Sequence, residues 1–408
     1  MGQQPPPLHR EKTVFDGWRS LTLALAMTLI GYGVLVGIPV ISSAWVNLLG
    51  FSESEVGRVA GADLGGLSIG AVFASLVVAR LNRRMLVIGA ALIAIAANAL
   101  CMVMTAYEQV LVLRLVAGFG SGLYTAVAVA TLGATAKPAR AYNLMLFAFA
   151  FSQALELHVL PQLPMNGIYL VFIVAYAVSL LFIGWLPPRP VAPSLDVELD
   201  QEDAAHRHHI KHVHVPAFAP WLVLAAIAMT YINIGAYWTY IELASANAKG
   251  STADPEFVSS VLVWASFLSL LGCLVATIIS NRFGLARPLL MTLVLHASIV
   301  GMLVFGITDT TFLISVFSFN FLWIFIDVYQ MSTIANVDHS GRFASLMPGA
   351  QGLGQIIGPN LAASLLAMNL GYDAVFVMCA CASLTAMTIY AFMYLRLRKM
   401  IPALADAS

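Results

Sequence analysis

Charge is the scarcest property of this sequence. Asp, Glu, Lys and Arg make up only 10% of its 408 residues, against about 25% in soluble domains, which excludes an ordinary soluble protein. Acidic and basic residues balance at a formal net charge of zero, so nothing in the composition favours a nucleic acid partner. Apolar residues fill the chain instead: 60% are hydrophobic and the mean hydropathy is +0.87. The composition predicts an integral membrane protein.

Cysteine is rare as well, and catalytic signatures are missing. The chain contains no Gly-x-x-x-x-Gly-Lys phosphate loop, and its Gly-x-Ser-x-Gly run, at 66–70, lies inside a long apolar run instead of at a strand-to-helix turn. The sequence therefore supports neither an ATP-driven pump nor a hydrolase, and we expect no enzymatic activity, no cofactor and no metal ion. The cysteines fall inside apolar stretches, without the spacing of a metal site or a disulfide framework. They are Cys101, Cys273, Cys379 and Cys381.

Long apolar runs take up most of the chain. Each of twelve runs has about 20 residues or more, which is enough for a helix to cross the hydrocarbon core of a bilayer. The longest polar interruption, at about 187–216, divides the runs six and six. The predicted spans are residues 21–45, 56–79, 85–106, 110–135, 141–163, 167–186, 218–244, 257–280, 287–307, 311–336, 343–368 and 371–395.

This layout predicts an all-α integral membrane protein with two six-helix bundles joined by a polar linker. The linker is acidic and then rich in histidine. A pair such as His208 and His212 could bind zinc or nickel, but we favour a solvated cytoplasmic segment without metal. The expected parts are an N-terminal tail at 1–20, bundles at 21–186 and 218–395, the linker at 187–217 and a C-terminal tail at 396–408.

The distribution of positive charge predicts the orientation in the membrane. With both termini in the cytoplasm, seventeen of the twenty Lys and Arg residues lie on the cytoplasmic side, and the exceptions are Arg58, Arg114 and Lys249. Positive residues concentrate on the cytoplasmic side of membrane proteins, and the reverse orientation would invert this distribution. We therefore expect a multi-pass protein of the cytoplasmic (inner) membrane with both ends inside the cell.

The two halves of the chain repeat each other at a constant offset of 202 residues. Matches between apolar residues are uninformative in membrane helices, but charged and amide residues are scarce here, so their coincidence carries weight. Two six-helix repeats related by an axis along the membrane normal are typical of secondary transporters. The polar matches are Arg80 with Arg282, Arg140 with Arg342, and Gln153 with Gln355.

Short motifs in these repeats resemble those of a known family. The loop Ala79-Arg80-Leu81-Asn82-Arg83-Arg84 resembles the Asp-Arg-x-Gly-Arg-Arg cytoplasmic motif of the major facilitator superfamily, with Ala79 in place of its aspartate and Asn82 in place of its glycine. The second copy, at 281–284, keeps the arginine and the glycine. Arg114, followed by three glycines in alternate positions, resembles the fourth-helix arginine motif of the proton-driven members.

The resemblance to this family covers nearly the whole chain. It implies the twelve-helix fold, alternating access between two bundles and a gate of arginines on the cytoplasmic side. The Gly-Pro motif that marks the fifth helix of many drug antiporters is missing between Leu144 and Pro161. The expected gate residues are Arg80, Arg83, Arg140, Arg282 and Arg342.

An aspartate and an arginine are embedded at similar depths in the first half. Asp63 lies about two turns into the second span, and Arg114 lies about one turn into the fourth span from the same side. An ion pair would offset part of the burial cost of both charges, as a protonation switch or as a permanent structural pair. The Arg114 face, with Gly118, Ser121 and Thr125, lines the transport pathway in one interpretation. In the other, the arginine reaches the membrane surface.

Two further acids are candidates for carrying protons. Asp327 lies about sixteen residues into the tenth span, and the offset of 202 aligns its face with the face of Arg114, so both are expected to point at a central cavity. A carboxylate there could carry a proton or bind a cationic group, or it could be a hydrogen-bonded packing residue. Glu156, past the middle of the fifth span, is a second candidate for a proton or substrate site.

Polar and aromatic side chains gather on faces that are expected to line the cavity. Rings that carry a hydroxyl group suit an amphipathic solute, although an aromatic belt at the membrane interface would explain some of them. The expected proton-coupling residues are Asp63, Arg114, Glu156 and Asp327. The expected cavity residues are Tyr32, Tyr124, Gln153, Asn233, Tyr237, Asn320, Trp323 and Gln355.

These features predict a secondary active transporter that moves a small, amphipathic organic solute by alternating access. We expect coupling to protons, a lipid bilayer around the protein and function as a monomer. An efflux antiporter for drugs or metabolites is the alternative within transport. The direction stays open, because the arginine motif favours export and the missing fifth-helix motif favours uptake. A transport-inactive sensor or assembly partner is the alternative outside transport.

Overall fold

Twelve α-helices dominate the part of the chain that the structure describes. The structure is a computed structural model, and it describes residues 14–78, 80–135, 138–188, 216, 218–279, 284–337, 343 and 346–400. The helices are α1 (Trp18–Leu49), α2 (Glu53–Val77), α3 (Arg83–Cys101), α4 (Tyr107–Gly133), α5 (Pro138–Val159), α6 (Met165–Leu181), α7 (Phe218–Asn247), α8 (Pro255–Ile279), α9 (Ala286–Gly301), α10 (Asp309–Val337), α11 (Met347–Ala367) and α12 (Gly371–Met400).

Local sequence signals set several of the helix ends. α1 ends before Gly50, whose φ of 73° is a left-handed conformation that glycine adopts without strain. α2 begins with a capping box, in which the Ser52 hydroxyl accepts from the amide of Glu55 and the Glu55 carboxylate accepts from the amide of Ser52. Asn82 caps α3 by accepting from the amide of Arg84. These short caps let consecutive helices reverse direction within a few residues.

Ten of the twelve described helices are long and apolar enough to span a membrane, judged by length and composition. Of the other two, α6 is apolar but has only 17 residues in its α-helical part. α11 has 21 residues and contains several Gly, Pro, Gln and Asn residues, which lower its hydropathy. The twelve-helix architecture predicted from the sequence is confirmed, and α6 and α11 are the two helices with the weakest span signal.

The helices pack as two sets of six. In the amino-terminal half, α1 to α6, helix α4 packs along α2 and α3, and α1 contacts α4, α5 and α6. In the carboxy-terminal half, α7 to α12, helix α7 packs along α11 and α12, and α10 packs along α8. The two halves meet where α2 contacts α11, where α5 contacts α8 and where α1 contacts α7.

Glycines allow α2 and α4 to approach closely. An added Cβ at Gly118 would overlap the backbone carbonyl of Asp63, and one at Gly122 would overlap the backbone carbonyl of Leu67. Small residues at such crossings let helix backbones touch, which is a main source of helix association in membranes. Two of the glycines that follow Arg114 are thus explained by helix packing within the amino-terminal half.

The interface between the halves is closed near one membrane face. We call the face that carries the start of α1 and the end of α12 the terminal face, and the other the opposite face. Towards the opposite face, Gly57 of α2 packs against the Tyr240 hydroxyl and the Pro359 carbonyl, and Gly61 packs against Asn360. These five residues form what we call the closing seam.

The other end of the interface is packed differently. No packing comparable to that between α2 and α11 joins α4 to α10 or α5 to α11 among the described residues. The contact between α2 and α11 continues from the closing seam as far as Gly352, which packs against Ser68. We expect the closing seam to shut off the space between the halves from the opposite face.

Candidate functional site

Asp327 is held by side chains from two other helices. The Tyr231 hydroxyl, on α7, donates to the carboxylate at 2.7 Å and 2.9 Å from its two oxygens. The Gln351 amide, on α11, donates to the same Tyr231 hydroxyl at 2.9 Å. Asp327 is half-buried. The chain of hydrogen bonds therefore joins α7, α10 and α11 around one carboxylate that no described base neutralises. We call Asp327, Tyr231 and Gln351 the Asp327 group.

Glycines let α7 and α11 lie close together on either side of Tyr231. Gly235 is one turn after Tyr231, and a Cβ there would lie 3.1 Å from the Cα of Gln355 and 3.2 Å from the ring of Pro359. On α11, Gly354 leaves room for the backbone of α7 beside Tyr231. The missing side chains bring the two helices together around Tyr231, which also lies near Tyr32 of α1 in the other half.

Aromatic side chains of both halves surround this group. Tyr32, on α1, is half-buried and lies near Tyr231. The Tyr32 ring meets Phe149 of α5 edge to face, with 5.6 Å between the ring centroids. Trp323 lies one turn before Asp327 on α10 and beside its carboxylate. An acid and several rings can bind an amphipathic solute, with the rings supplying apolar contact.

Glu156 is an acid in a membrane helix of the amino-terminal half, on α5. Its Oε1 accepts a hydrogen bond from Ser152 at 3.2 Å, and its Oε2 is buried without a hydrogen-bond partner among the described residues. The carboxylate lies against α1, where Cβ atoms at Gly33 and Gly37 would each come within 3.3 Å of it. Two glycines thus make room for a carboxyl group that has an unused oxygen.

Asp63 and Arg114 form the ion pair that their depths suggested. Arg114 Nε and Nη2 donate to the same Asp63 oxygen at 2.8 Å and 2.5 Å, and Nη1 donates to Asn98 at 2.8 Å. The guanidinium also lies 5.8 Å from the ring centre of Tyr169. Both residues are buried, each with 2% of its surface exposed. Every group around the pair belongs to the amino-terminal half.

The rest of the Arg114 face also points into that half. Gly118 packs on the backbone of Asp63, the Ser121 hydroxyl lies 2.7 Å from that of Tyr176, and Thr125 packs on Gly31. The structure therefore places this face against α1, α2 and α6, and not against the carboxy-terminal half. In this conformation the geometry is that of a structural pair, and the switch interpretation stays a prediction.

Removing one member of the pair is expected to destabilise the protein strongly. Asp63→Ala leaves the Arg114 guanidinium buried without a counter-charge, at an expected cost of about 3–5 kcal/mol. Thermal unfolding of purified protein in detergent measures the loss. The double variant Asp63→Leu with Arg114→Met should recover most of it, because no unpaired charge remains. A single variant as stable as the unchanged protein would contradict a structural role for the pair.

Several expected cavity residues lie inside one half. Tyr124 donates to Ser179 at 2.6 Å within the amino-terminal half, and Tyr237 bonds Ser315 at 2.8 Å within the carboxy-terminal half. Asn233 Nδ2 lies 3.2 Å from His296 Nδ1, and Asn320 donates to the Val316 carbonyl at 3.0 Å. The other buried residues of the expected set are Gln153 and Gln355. Of the set, Tyr32 and Trp323 lie beside the Asp327 group.

The expected gate arginines fall into three groups. Arg80 and Arg140 are exposed at the terminal face. Arg83 is buried instead, donates to the Thr131 hydroxyl at 3.2 Å and lies 4.7 Å from the ring centre of Phe15, so it supports the amino-terminal half. Arg282 and Arg342 lie outside the described residues, as does most of the linker at 187–217. Among the described residues, no group of three potential metal ligands occurs.

A comparison with family models decides what this architecture is. The model of the Major Facilitator Superfamily matches residues 21–359, which is most of the chain. The chain belongs to the major facilitator superfamily. It is therefore a multi-pass membrane protein of a transporter family, and the family that its motifs suggested is confirmed. No curated protein sequence matches the chain.

Solved transporter structures share this fold at low sequence identity. The nucleoside transporter NupG has a TM-score of 0.69 and 13% identity, over 92% of this chain and 99% of that chain. An auto-inhibited POT family peptide transporter has a TM-score of 0.69 and 11% identity, over 92% and 96%. A D-xylose-proton symporter has a TM-score of 0.66 and 13% identity, over 91% and 97%. Similarity at these identities shows the fold alone.

Two residues of the Asp327 group were not among the expected cavity residues. Helical spacing placed Asn233 and Tyr237 on one face of α7, and the structure turns that face into the carboxy-terminal half. Tyr231 lies on the side that meets α11, and Gln351 lies one turn before Gln355 on α11. A usable signal was present, since Gly235, one turn after Tyr231, marks the side of α7 that another helix approaches.

Proposed function

We propose that this member of the major facilitator superfamily is a proton-coupled transporter of a small, amphipathic organic solute. Two bundles, at 21–186 and 218–395, would rock about the interface and expose the Asp327 group to each membrane face in turn. The protein would lie in the cytoplasmic membrane with its terminal face towards the cytoplasm, as the positive residues in its loops indicate.

The observation that carries this proposal is the Asp327 carboxylate in a membrane helix, bonded to Tyr231, which lies near Tyr32 of the other half. An ionisable group inside a membrane span is costly and marks a functional site by default. Its environment is polar but not basic: Tyr231 donates to it, and Gln351 donates in turn to Tyr231. A carboxylate that is half-buried and free of a basic partner can take up and release a proton as the access changes.

The similar structures support the same class of function. Their names describe transport of nucleosides, peptides and D-xylose, the last with protons. All are small organic solutes, which agrees with a site made of rings, a hydroxyl, an amide and a carboxylate. Glu156 supplies a second carboxylate from the other half, and we propose it as a further proton site.

Solute-driven proton movement in proteoliposomes tests the proposal. The purified protein is reconstituted with a pH-sensitive dye inside, and organic anions, organic cations and neutral amphiphiles are added outside one class at a time. We expect at least one class to change the internal pH faster than it does in protein-free liposomes, where weak acids and bases cross the bilayer only in their neutral forms. Correctly folded protein that responds to no class would contradict the proposal and favour the sensor alternative.

A further inference from the structure

Positive charge is missing from the interface between the halves. Arg114 is buried, and Asp63 already neutralises it inside the amino-terminal half. The other described Lys and Arg residues lie in loops or within about two turns of a helix end. No described Lys or Arg side chain is therefore placed to neutralise an anionic solute at the depth of Asp327.

Each half carries an acid in a membrane helix. Asp327 stands on α10, and Glu156, on α5, packs against α1 within the amino-terminal half. Neither forms an ion pair with a described basic residue, and Glu156 Oε2 has no hydrogen-bond partner among the described residues. An anionic solute beside Asp327 would meet a like charge, which disfavours its binding. A positively charged solute would supply the counter-charge that the site lacks.

The aromatic side chains favour the same kind of solute. Tyr32 and Phe149 form an edge-to-face pair, and Trp323 stands beside Asp327. Ring faces attract cations, most strongly where water is excluded. The Asp327 carboxylate accepts from one described hydroxyl, that of Tyr231, so lone pairs remain for the N–H groups of an ammonium ion.

We propose that the transported solute is an organic cation with an apolar body, an amine of the arylalkyl kind. Its ammonium group binds Asp327, and its apolar body lies against the rings of Tyr32, Phe149 and Trp323. The proposal rests on the proposed transport function and adds the charge of the solute to it. It excludes carboxylates and phosphates as preferred solutes.

Three probes of matched shape test the sign of the charge. 2-Phenylethylamine is cationic at neutral pH, 2-phenylethanol is neutral and phenylacetate is anionic, while all three carry the same ring. Binding to the purified full chain is followed by tryptophan fluorescence, which does not depend on proton flux, and transport is followed by internal pH in proteoliposomes. We expect the amine to bind at least about tenfold more tightly than the alcohol, and phenylacetate not to compete with it.

Variants separate specific binding from partition into lipid or detergent. Asp327→Asn should remove the preference for the amine over the alcohol, and Phe149→Leu should weaken amine binding about threefold or more. Phe392→Leu is the matched control, because Phe392 is half exposed on α12 beside Arg396 and should change nothing. Equal or tighter binding of the alcohol or of phenylacetate would overturn the cation assignment. A proton response to a neutral or anionic solute alone would also overturn it, but would leave the proposed function standing.

Discussion

Replacing Asp327 with asparagine is expected to abolish solute-driven proton movement while the protein stays folded. Asparagine has nearly the same size, and its Oδ1 can still accept from Tyr231, so the contacts that join α7 and α10 survive. It cannot ionise, and so it can neither release a proton nor hold a cation. Internal pH in proteoliposomes should therefore change no more than in protein-free liposomes.

A matched control and a milder variant sharpen this result. Asp373→Asn makes the same chemical change at an exposed position in the first turn of α12, and proton movement should persist there. Tyr231→Phe removes one donor to the carboxylate but leaves the acid, so proton movement should fall without disappearing. Undiminished proton movement in Asp327→Asn, in protein with an unchanged unfolding temperature, would remove Asp327 from the coupling step.

Replacing Gly57 with valine is expected to open the closing seam. A Cβ at this position would overlap the Tyr240 hydroxyl and lie 2.7 Å from the Pro359 carbonyl, a backbone atom that cannot swing aside. The same Tyr240 hydroxyl donates to the Glu53 carbonyl at 2.8 Å, so its displacement also breaks a bond between the halves. Overpacking of this kind costs about 1–3 kcal/mol, which shifts a conformational equilibrium by about 5- to 150-fold.

Thiol labelling measures the shift. Ile356→Cys places a cysteine on α11 where Gly65 of α2 packs against it, in a background with serine at Cys273 and Cys381. A membrane-impermeant maleimide added on the side of the opposite face should label it several-fold faster when Gly57 is valine, and solute transport should slow. Labelling and transport at unchanged rates would show that the seam does not close the interface.

The control for the seam is a glycine with free space around it. Gly89 of α3 has no atom within 4 Å of the position its Cβ would take. Gly89→Val therefore makes the same substitution in a membrane helix without a steric conflict, and it should leave labelling and transport unchanged. Slower transport in both the Gly57 and the Gly89 variants would indicate a general effect of valine on helix stability.

The architecture could be predicted because each membrane helix can be recognised from its own segment of the sequence. A run of about 20 apolar residues is sufficient for a span, and the positive residues between the runs are few enough to show a direction. The polar matches at an offset of 202 residues added the division into halves. The same scarcity of charge singled out Asp63, Arg114, Glu156 and Asp327, since a charge in an apolar run is visible without any structure.

Residue pairing could be predicted only where depth alone restricted the choice. Asp63 and Arg114 enter from the same side to similar depths, and the structure shows their ion pair. For α7, by contrast, helical spacing placed Asn233 and Tyr237 on one face but did not show whether that face meets the other half. Asn233 and Tyr237 face the carboxy-terminal half, and Tyr231 lies near Tyr32 of the other half.

The sequence by itself determined the twelve helices, the family and the embedded acids, because each follows from composition within one segment or from a short motif. The tertiary structure alone decided how each helix is rotated about its axis. That rotation depends on which glycines of neighbouring helices meet, as Gly235 and Gly354 do between α7 and α11. It turns Arg114 into the amino-terminal half, and it joins Asp327 through Tyr231 to Gln351, with Tyr231 near Tyr32 of the other half.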